Sequence, residues 1–183
     1  MLYHEWEFKG SKVGLKALEK VKSKHTQLQA IFFGSSEKPK DLPEWITYHQ
    51  SPSELFRLYN SASIYLGTSS REGFSLTIGE AMQCGCAIVC TDIGGYKVVA
   101  KNAVTALLSP IGDADNLARN IIRLIEDDSL RIKLARNGYD YMKKYTWERA
   151  YGKLKDLIDQ TVERTDTTQA KRKKKCYLTL LFF

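Results

Sequence analysis

The sequence predicts an α/β domain built on a doubly wound parallel sheet. Three observations lead there. Short apolar runs alternate with amphipathic stretches along most of the chain, and parallel neighbours need helical crossovers, so the alternation implies strands covered by helices on both faces. The 183 residues suffice for one compact domain with a real core, but are few for an enzyme that needs two lobes. Hydrophobic residues at 43% and charged residues at 27% match globular averages and exclude a largely disordered, collagenous or membrane-embedded chain.

The elements follow in order. Ser11 is placed to cap a helix running to about residue 24, with Gly14, Ala17, Leu18 and Val21 on one face. Residues 28–34 (LQAIFFG) read as a strand that ends in a Gly-Ser-Ser loop. A charged connection then leads to a short strand over residues 46–49. Ser51-Pro52-Ser53-Glu54 has the pattern of a capping box with proline at the first helical position, and predicts a helix carrying Leu55, Leu58, Tyr59 and Ala62 inward. Further strands are expected at residues 64–68, 87–91 and 105–108. Between them fall a polar loop, a helix over residues 77–83, and a helical turn after Gly94-Gly95. The rest reads as helix: from Asp113 onward, over residues 129–145, and from Thr146 to about residue 161, where Trp147, Ala150, Tyr151, Leu154 and Ile158 recur on one side. Residues 1–165 form the expected domain, and residues 166–183 a basic and apolar tail expected to be disordered.

The formal charge of +7 is mostly local, because five basic residues form the run Lys171-Arg172-Lys173-Lys174-Lys175 and the rest of the chain carries 23 basic against 21 acidic residues. A nearly balanced body offers no face for tracking phosphates, so no nucleic-acid partner is expected. Cys84, Cys86 and Cys90 lie in an apolar stretch and read as small buried hydrophobes rather than a zinc set. The N-terminus lacks the regions of a signal peptide and no apolar run reaches the roughly 20 residues of a span, so a cytoplasmic location is the expectation. The tail leaves two readings: weak peripheral membrane association through its basic run and apolar end, or a frame-shifted end without function.

Ligands of such sheets bind at the carboxyl ends of the strands, which directs attention to the loops after Gly34, Thr68 and Thr91. The informative one is Thr68-Ser69-Ser70-Arg71-Glu72-Gly73-Phe74-Ser75, followed by a helix bearing Leu76 and Glu80. Glycine permits close backbone approach, and a helix N-terminus presents free N–H groups, which together suit a diphosphate. Glu72 and Glu80 flank that anion site and can accept hydrogen bonds from sugar hydroxyls on either side of it. Hydroxyls, phosphates and hydroxyls in that order describe a nucleotide sugar.

REGFSLTIGEAM resembles the motif of the retaining GT-B glycosyltransferases of family 4, in which Glu-Gly-Phe-Gly precedes a helix bearing a second glutamate eight positions on. The resemblance continues through CGCAIVCTDIGGYKVV, TALLSPIGDADNLA and YTWERAYGKL, and back through SPSELFRLYNSA to Phe8-Lys9-Gly10, covering roughly residues 1–160. It implies a Rossmann-like domain, the C-terminal half of a GT-B fold, which binds the donor. In that reading Lys9 holds the diphosphate, Glu72 contacts the sugar near the reacting centre as the catalytic residue, Gly73, Phe74, Ser75 and Leu76 wrap sugar and phosphates, and Glu80 receives the ribose. Tyr48-His49-Gln50 falls where the family often holds the base.

The substrate is then a nucleotide-diphosphate sugar, with no cofactor and no metal, since Lys9 and helix N–H groups would neutralise the phosphates. An N-terminal lobe carrying the acceptor is the implied partner, and only Leu2, Tyr3 and His4 are left for the domain's first strand. Three positions depart from the family: Ser75 replaces a glycine, Val98 stands where a glutamate is common, and no arginine precedes Lys9, a charge that Lys97 or Arg71 could replace. The rival reading is a degenerate nucleotide-sugar-binding module without transfer. An unrelated nucleotide-binding protein is disfavoured by the lack of both GxGxxG after the first strand and a P-loop.

Overall fold

The computed structural model describes residues 1–162. The chain divides into two units, Met1–Lys143 and a second from Lys144 onward. In the first unit a 3-10 turn, Glu7–Lys9, leads into α1 (Ser11–Lys24), β1 (Ala30–Gly34), β2 (Ile46–Gln50), α2 (Leu55–Asn60), β3 (Ile64–Gly67), α3 (Leu76–Gln83), β4 (Ala87–Thr91), α4 (Gly94–Lys97), β5 (Ala106–Ser109), α5 (Ala114–Glu126) and α6 (Asp128–Met142). In the second unit residues 147–162 form a helix, α7, with Trp147, Tyr151, Leu154 and Ile158 exposed. The expected boundary at residue 165 and the tail of residues 166–183 lie outside the described residues. Among the described residues no helix is long and apolar enough to cross a membrane.

Among the described residues all strand pairs are parallel, as the alternation of elements requires, but they form two ladders rather than one sheet: β1 with β2, and β3 with β4 and β5. The short extended segment at the N-terminus stands beside β1. Leu2 is bridged to Phe33, the Tyr3 N–H donates to the Phe33 carbonyl at 2.8 Å, and the Met1 ammonium donates to the Ile31 carbonyl at 2.8 Å. One bridge is too short to extend into a ladder that would join β1 to β3.

Alternating side chains divide the core between the two faces. Phe32, Leu66, Val89 and Leu107 pack with Leu18 and Val21 of α1 and Leu117 and Leu124 of α5. Phe33, Tyr65, Ile88 and Cys90 pack with Tyr59 of α2, Ile78 and Met82 of α3, and Met142 of α6. Every residue of β4 is buried, as expected of a strand covered on both sides. Cys86 and Cys90 are core residues, and burial pushes both thiols up, that of Cys86 to about 12. These two are the small buried hydrophobes expected, whereas Cys84, read the same way, is only partly buried.

Three local expectations are corrected. Ser11 does not cap α1; Gly10 holds the N-cap position, and the Ser11 hydroxyl instead donates to the His4 carbonyl at 2.8 Å and accepts the His4 N–H at 2.9 Å. The capping box at Ser51 does not form. Ser51 adopts φ 42 and its N–H donates to the Gly34 carbonyl at 2.7 Å, prolonging the strand pairing, and the following proline disfavours helical backbone at that position. Helix α2 therefore starts at Leu55, with Glu54 paired to Arg57 at 2.8 Å. Helix α6 ends at Met142, short of the expected residue 145.

The Met1 amine is fully buried, and desolvation lowers its pKa from 8.0 to about 5. Between these values the unfolded chain binds a proton that the folded chain rejects. This group's contribution to stability therefore falls as pH drops from about 8 to about 5, and is flat below. Scanning calorimetry from pH 5 to 8 is expected to show Tm rising with pH, with a smaller slope once the N-terminus is acetylated. Identical slopes for the free and acetylated chains would contradict it.

Candidate functional site

The site is built where the turn before α1 meets the loop after β3. Gly10, in the left-handed region at φ 67, lies so close to that loop that a Cβ would stand 2.1 Å from the Thr68 carbonyl oxygen, so a residue with any side chain would separate the two. Hydrogen bonds clamp the contact: the Ser70 N–H and hydroxyl donate to the Phe8 carbonyl at 2.7 and 3.2 Å, and the Thr68 hydroxyl to the Lys9 carbonyl at 2.9 Å. Lys9 is thereby fixed beside the loop. Its Nζ lies 2.8 Å from Glu72 Oε1, with both side chains less than one-fifth exposed.

Glu72 is held from two further directions. The Ser69 hydroxyl donates to the same Oε1 at 2.8 Å, and the Ser69 N–H donates to the Tyr96 hydroxyl oxygen at 3.2 Å. Burial pushes the Tyr96 hydroxyl up to about 12, so it stays protonated. The Thr91 hydroxyl donates to the Ser69 carbonyl. Gly95 of α4 closes the back: a Cβ there would meet the Glu72 carbonyl oxygen at 2.1 Å. The glycine pair is thus more than a tight turn, because its second member lets the Glu72 backbone pass.

From Glu72 the chain runs into α3. A Cβ at Gly73 would meet nothing within 4 Å, which leaves open space in front of the loop. Phe74 and Leu76 are exposed, Leu76 at 69%. Ser75, buried with φ −94, caps α3 by accepting the Ile78 N–H at 3.3 Å. The serine that replaces the family's glycine keeps a negative φ and adds a cap. Beyond it Ile78, Ala81 and Met82 are buried, while Glu80 is exposed and accepts the Tyr59 hydroxyl at 3.0 Å on Oε2. Burial, with Tyr65 and Glu80 nearby, raises the Tyr59 pKa and keeps it a donor.

The structure therefore brings Lys9 and Glu72 together and joins them through Gly73, Phe74, Ser75 and Leu76 to α3, while Glu80 stands apart on its own partner. Of the two cations offered as replacements for a missing arginine, Lys97 is paired with Asp92 at 2.6 Å, and Arg71 stacks on the Phe8 ring at 5.0 Å, next to Lys9. Beside them lies an open cleft of about 750 Å³ between Trp6, Phe8, Arg71 and Ile111. Tyr48 and His49 sit at the carboxyl end of β2, where the Tyr48 hydroxyl donates to the Ser36 carbonyl at 2.6 Å.

Sequence reasoning missed Ser69, Tyr96 and Tyr59. Tyr59 carried a signal, since a tyrosine on a buried helix face needs a partner for its hydroxyl. It also passed over Asp113-Ala114-Asp115, which has the Asp-x-Asp spacing of metal-dependent transferases. Both carboxylates are committed elsewhere: Asp113 caps α5 by accepting the Asn116 N–H at 2.8 Å, and Asp115 pairs with Lys20 at 2.8 Å.

The family description "Glycosyl transferases group 1" matches residues 5–141, and the chain belongs to that family. A D-inositol 3-phosphate glycosyltransferase of Salinispora tropica is 29% identical over 130 residues, 71% of this chain and 25% of that protein. A Campylobacter jejuni N,N'-diacetylbacillosaminyl-diphospho-undecaprenol alpha-1,3-N-acetylgalactosaminyltransferase is 31% identical over 120 residues, 64% of this chain and 32% of that protein. The chain spans between 25% and 41% of the curated relatives it matches.

Among solved structures, the C-terminal domain of a glycosyl transferase group 1 protein from Francisella tularensis superposes with a TM-score of 0.69 at 24% identity, covering 78% of this chain and 83% of that one. Anabaena HepE in complex with UDP superposes at 0.77 and 19% identity, covering 87% of this chain and 47% of that one. The fold is that of the C-terminal half of a GT-B glycosyltransferase.

The two glycines of the site are expected to respond oppositely to alanine. Gly95→Ala must displace the Glu72 backbone, at a cost of about 2 kcal/mol or about 4–8 °C in Tm. Gly73→Ala, facing open space, is expected to move Tm by no more than about 1 °C. Thermal melts of both variants check this, and equal shifts would contradict the packing assigned to Gly95.

Proposed function

We propose that this chain is the donor-binding domain of a retaining glycosyltransferase of family 4, taking a UDP- or GDP-type sugar and passing the sugar to an acceptor held by a second lobe. The observation that carries the reading is the enclosed Lys9–Glu72 pair at the open N-terminal side of α3, in a chain whose family and fold are those of group 1 glycosyltransferases. Lys9 and the free N–H groups of α3 meet the diphosphate, and the same groups stabilise it as it leaves. Glu72, released from Lys9 as the phosphates arrive, turns to the sugar hydroxyls. Glu80 accepts the ribose hydroxyls, with Tyr59 holding its carboxylate in place. That Anabaena HepE was solved with UDP supports the choice of ligand. The acceptor lobe completes the active site, and without it the chain binds the donor but does not transfer.

Calorimetry with UDP and UDP-glucose separates the two glutamates. Glu80→Gln is expected to weaken both ligands about tenfold, the loss of one hydrogen bond to a charged group. Glu72→Gln is expected to weaken the nucleotide sugar by a similar factor and leave UDP within about twofold. Equal losses of both ligands at Glu72, or none at Glu80, would show that the pair is structural.

The same titrations repeated with and without magnesium are expected to give the same affinity for UDP, because Lys9 and α3 supply the positive charge. Binding that vanishes without the metal would contradict this assignment.

A further inference from the structure

We propose that Arg71 is a second cation for the donor's diphosphate, reaching it from the loop after β3; the inference rests on the donor-binding reading above. In residues 1–10 Lys9 is the only lysine or arginine, and Glu72 holds it at 2.8 Å. A diphosphate carries more negative charge than one lysine and a helix start can balance, and surplus charge in a half-closed site is costly. Another part of the chain has to supply the difference.

The clamp places Arg71 beside Lys9. Because Ser70 bonds to the Phe8 carbonyl and Thr68 to the Lys9 carbonyl, the segments Phe8-Lys9 and Ser70-Arg71 lie side by side. The Phe8 ring gathers both charges: Lys9 Nζ lies 5.4 Å from its centroid and Arg71 Cζ 5.0 Å. Lys9 is balanced by Glu72, but among the described residues Arg71 forms no ion pair, although Glu7 lines the same cleft. Like charges gathered on one ring repel each other, and an anion received between them relieves the repulsion. Lys97 offers no such charge, because Asp92 pairs with it at 2.6 Å.

The present contact of Arg71 is one that a phosphate can replace. An exposed guanidinium over a ring is weakly held, whereas its planar fork meets two phosphate oxygens at once through charge-assisted bonds. Arg71 stands on the wall of the open cleft of about 750 Å³, so it can leave the ring without displacing a packed side chain. As the sugar departs, the diphosphate gains negative charge. A cation placed there stabilises the departing state more than the bound donor.

The test is calorimetry with UDP and with uridine, at low and high salt, on the chain and on Arg71→Gln, Lys97→Gln and Lys9→Gln. Arg71→Gln is expected to weaken UDP about tenfold, the loss of a hydrogen bond to a charged group, and to leave uridine within about twofold. It is also expected to flatten the salt dependence of UDP binding, since one screened charge is gone. Lys97→Gln is expected to leave UDP within about twofold. A UDP affinity that falls in Lys9→Gln but not in Arg71→Gln would overturn the proposal and leave the donor reading standing. Equal losses of UDP and uridine at Arg71, an unchanged salt dependence, or a larger loss at Lys97 than at Arg71 would also overturn it. A chain that binds no UDP would overturn the donor reading and this inference with it.

Discussion

The contact between the turn at Lys9-Gly10 and the loop at Thr68–Glu72 is the constraint on which the site depends. Two segments some sixty residues apart approach closely enough that Gly10 has no room for a side chain against the Thr68 carbonyl. Three hydrogen bonds hold the approach, and the Lys9–Glu72 ion pair closes it. An ion pair less than one-fifth exposed is costly to desolvate and becomes worthwhile only when well bonded, which explains why Ser69 also donates to Glu72 and why Ser69 is in turn bonded by Thr91 and Tyr96. The pair satisfies both charges, and in the proposed reading a diphosphate and a sugar take over one half each without leaving a buried charge alone.

The fold delivers these groups by a simple rule. Parallel strands covered on both faces bring every strand-to-helix loop to one edge, and β3 and β4 contribute the loops that carry Ser69, Glu72 and Gly95. The segment at Met1–Tyr3 meets β1 through a single bridge, Leu2 to Phe33, and leads from there to the turn at Lys9.

Much of this was legible in the residues. Strand and helix order followed from the spacing of apolar runs, and the resemblance of REGFSLTIGEAM to the family motif placed a helix start between Glu72 and Glu80. What was not legible is tertiary. Ser69 and Tyr96 act on Glu72 through a loop geometry that no periodicity encodes, and Tyr59 meets Glu80 from 21 positions away in the chain. Local patterns also misled where a tertiary bond outbid them. Ser11 and Ser51 both look like helix caps, yet one is spent on His4 and the other on the Gly34 carbonyl.

The proposed division of the Lys9–Glu72 pair between the donor's phosphates and its sugar is visible in a crystal of this chain soaked with UDP-glucose: Lys9 Nζ is expected within hydrogen-bonding distance of a phosphate oxygen and Glu72 turned to a sugar hydroxyl, with the 2.8 Å contact between them broken. A bound nucleotide sugar with that contact intact and neither residue touching the ligand would contradict it.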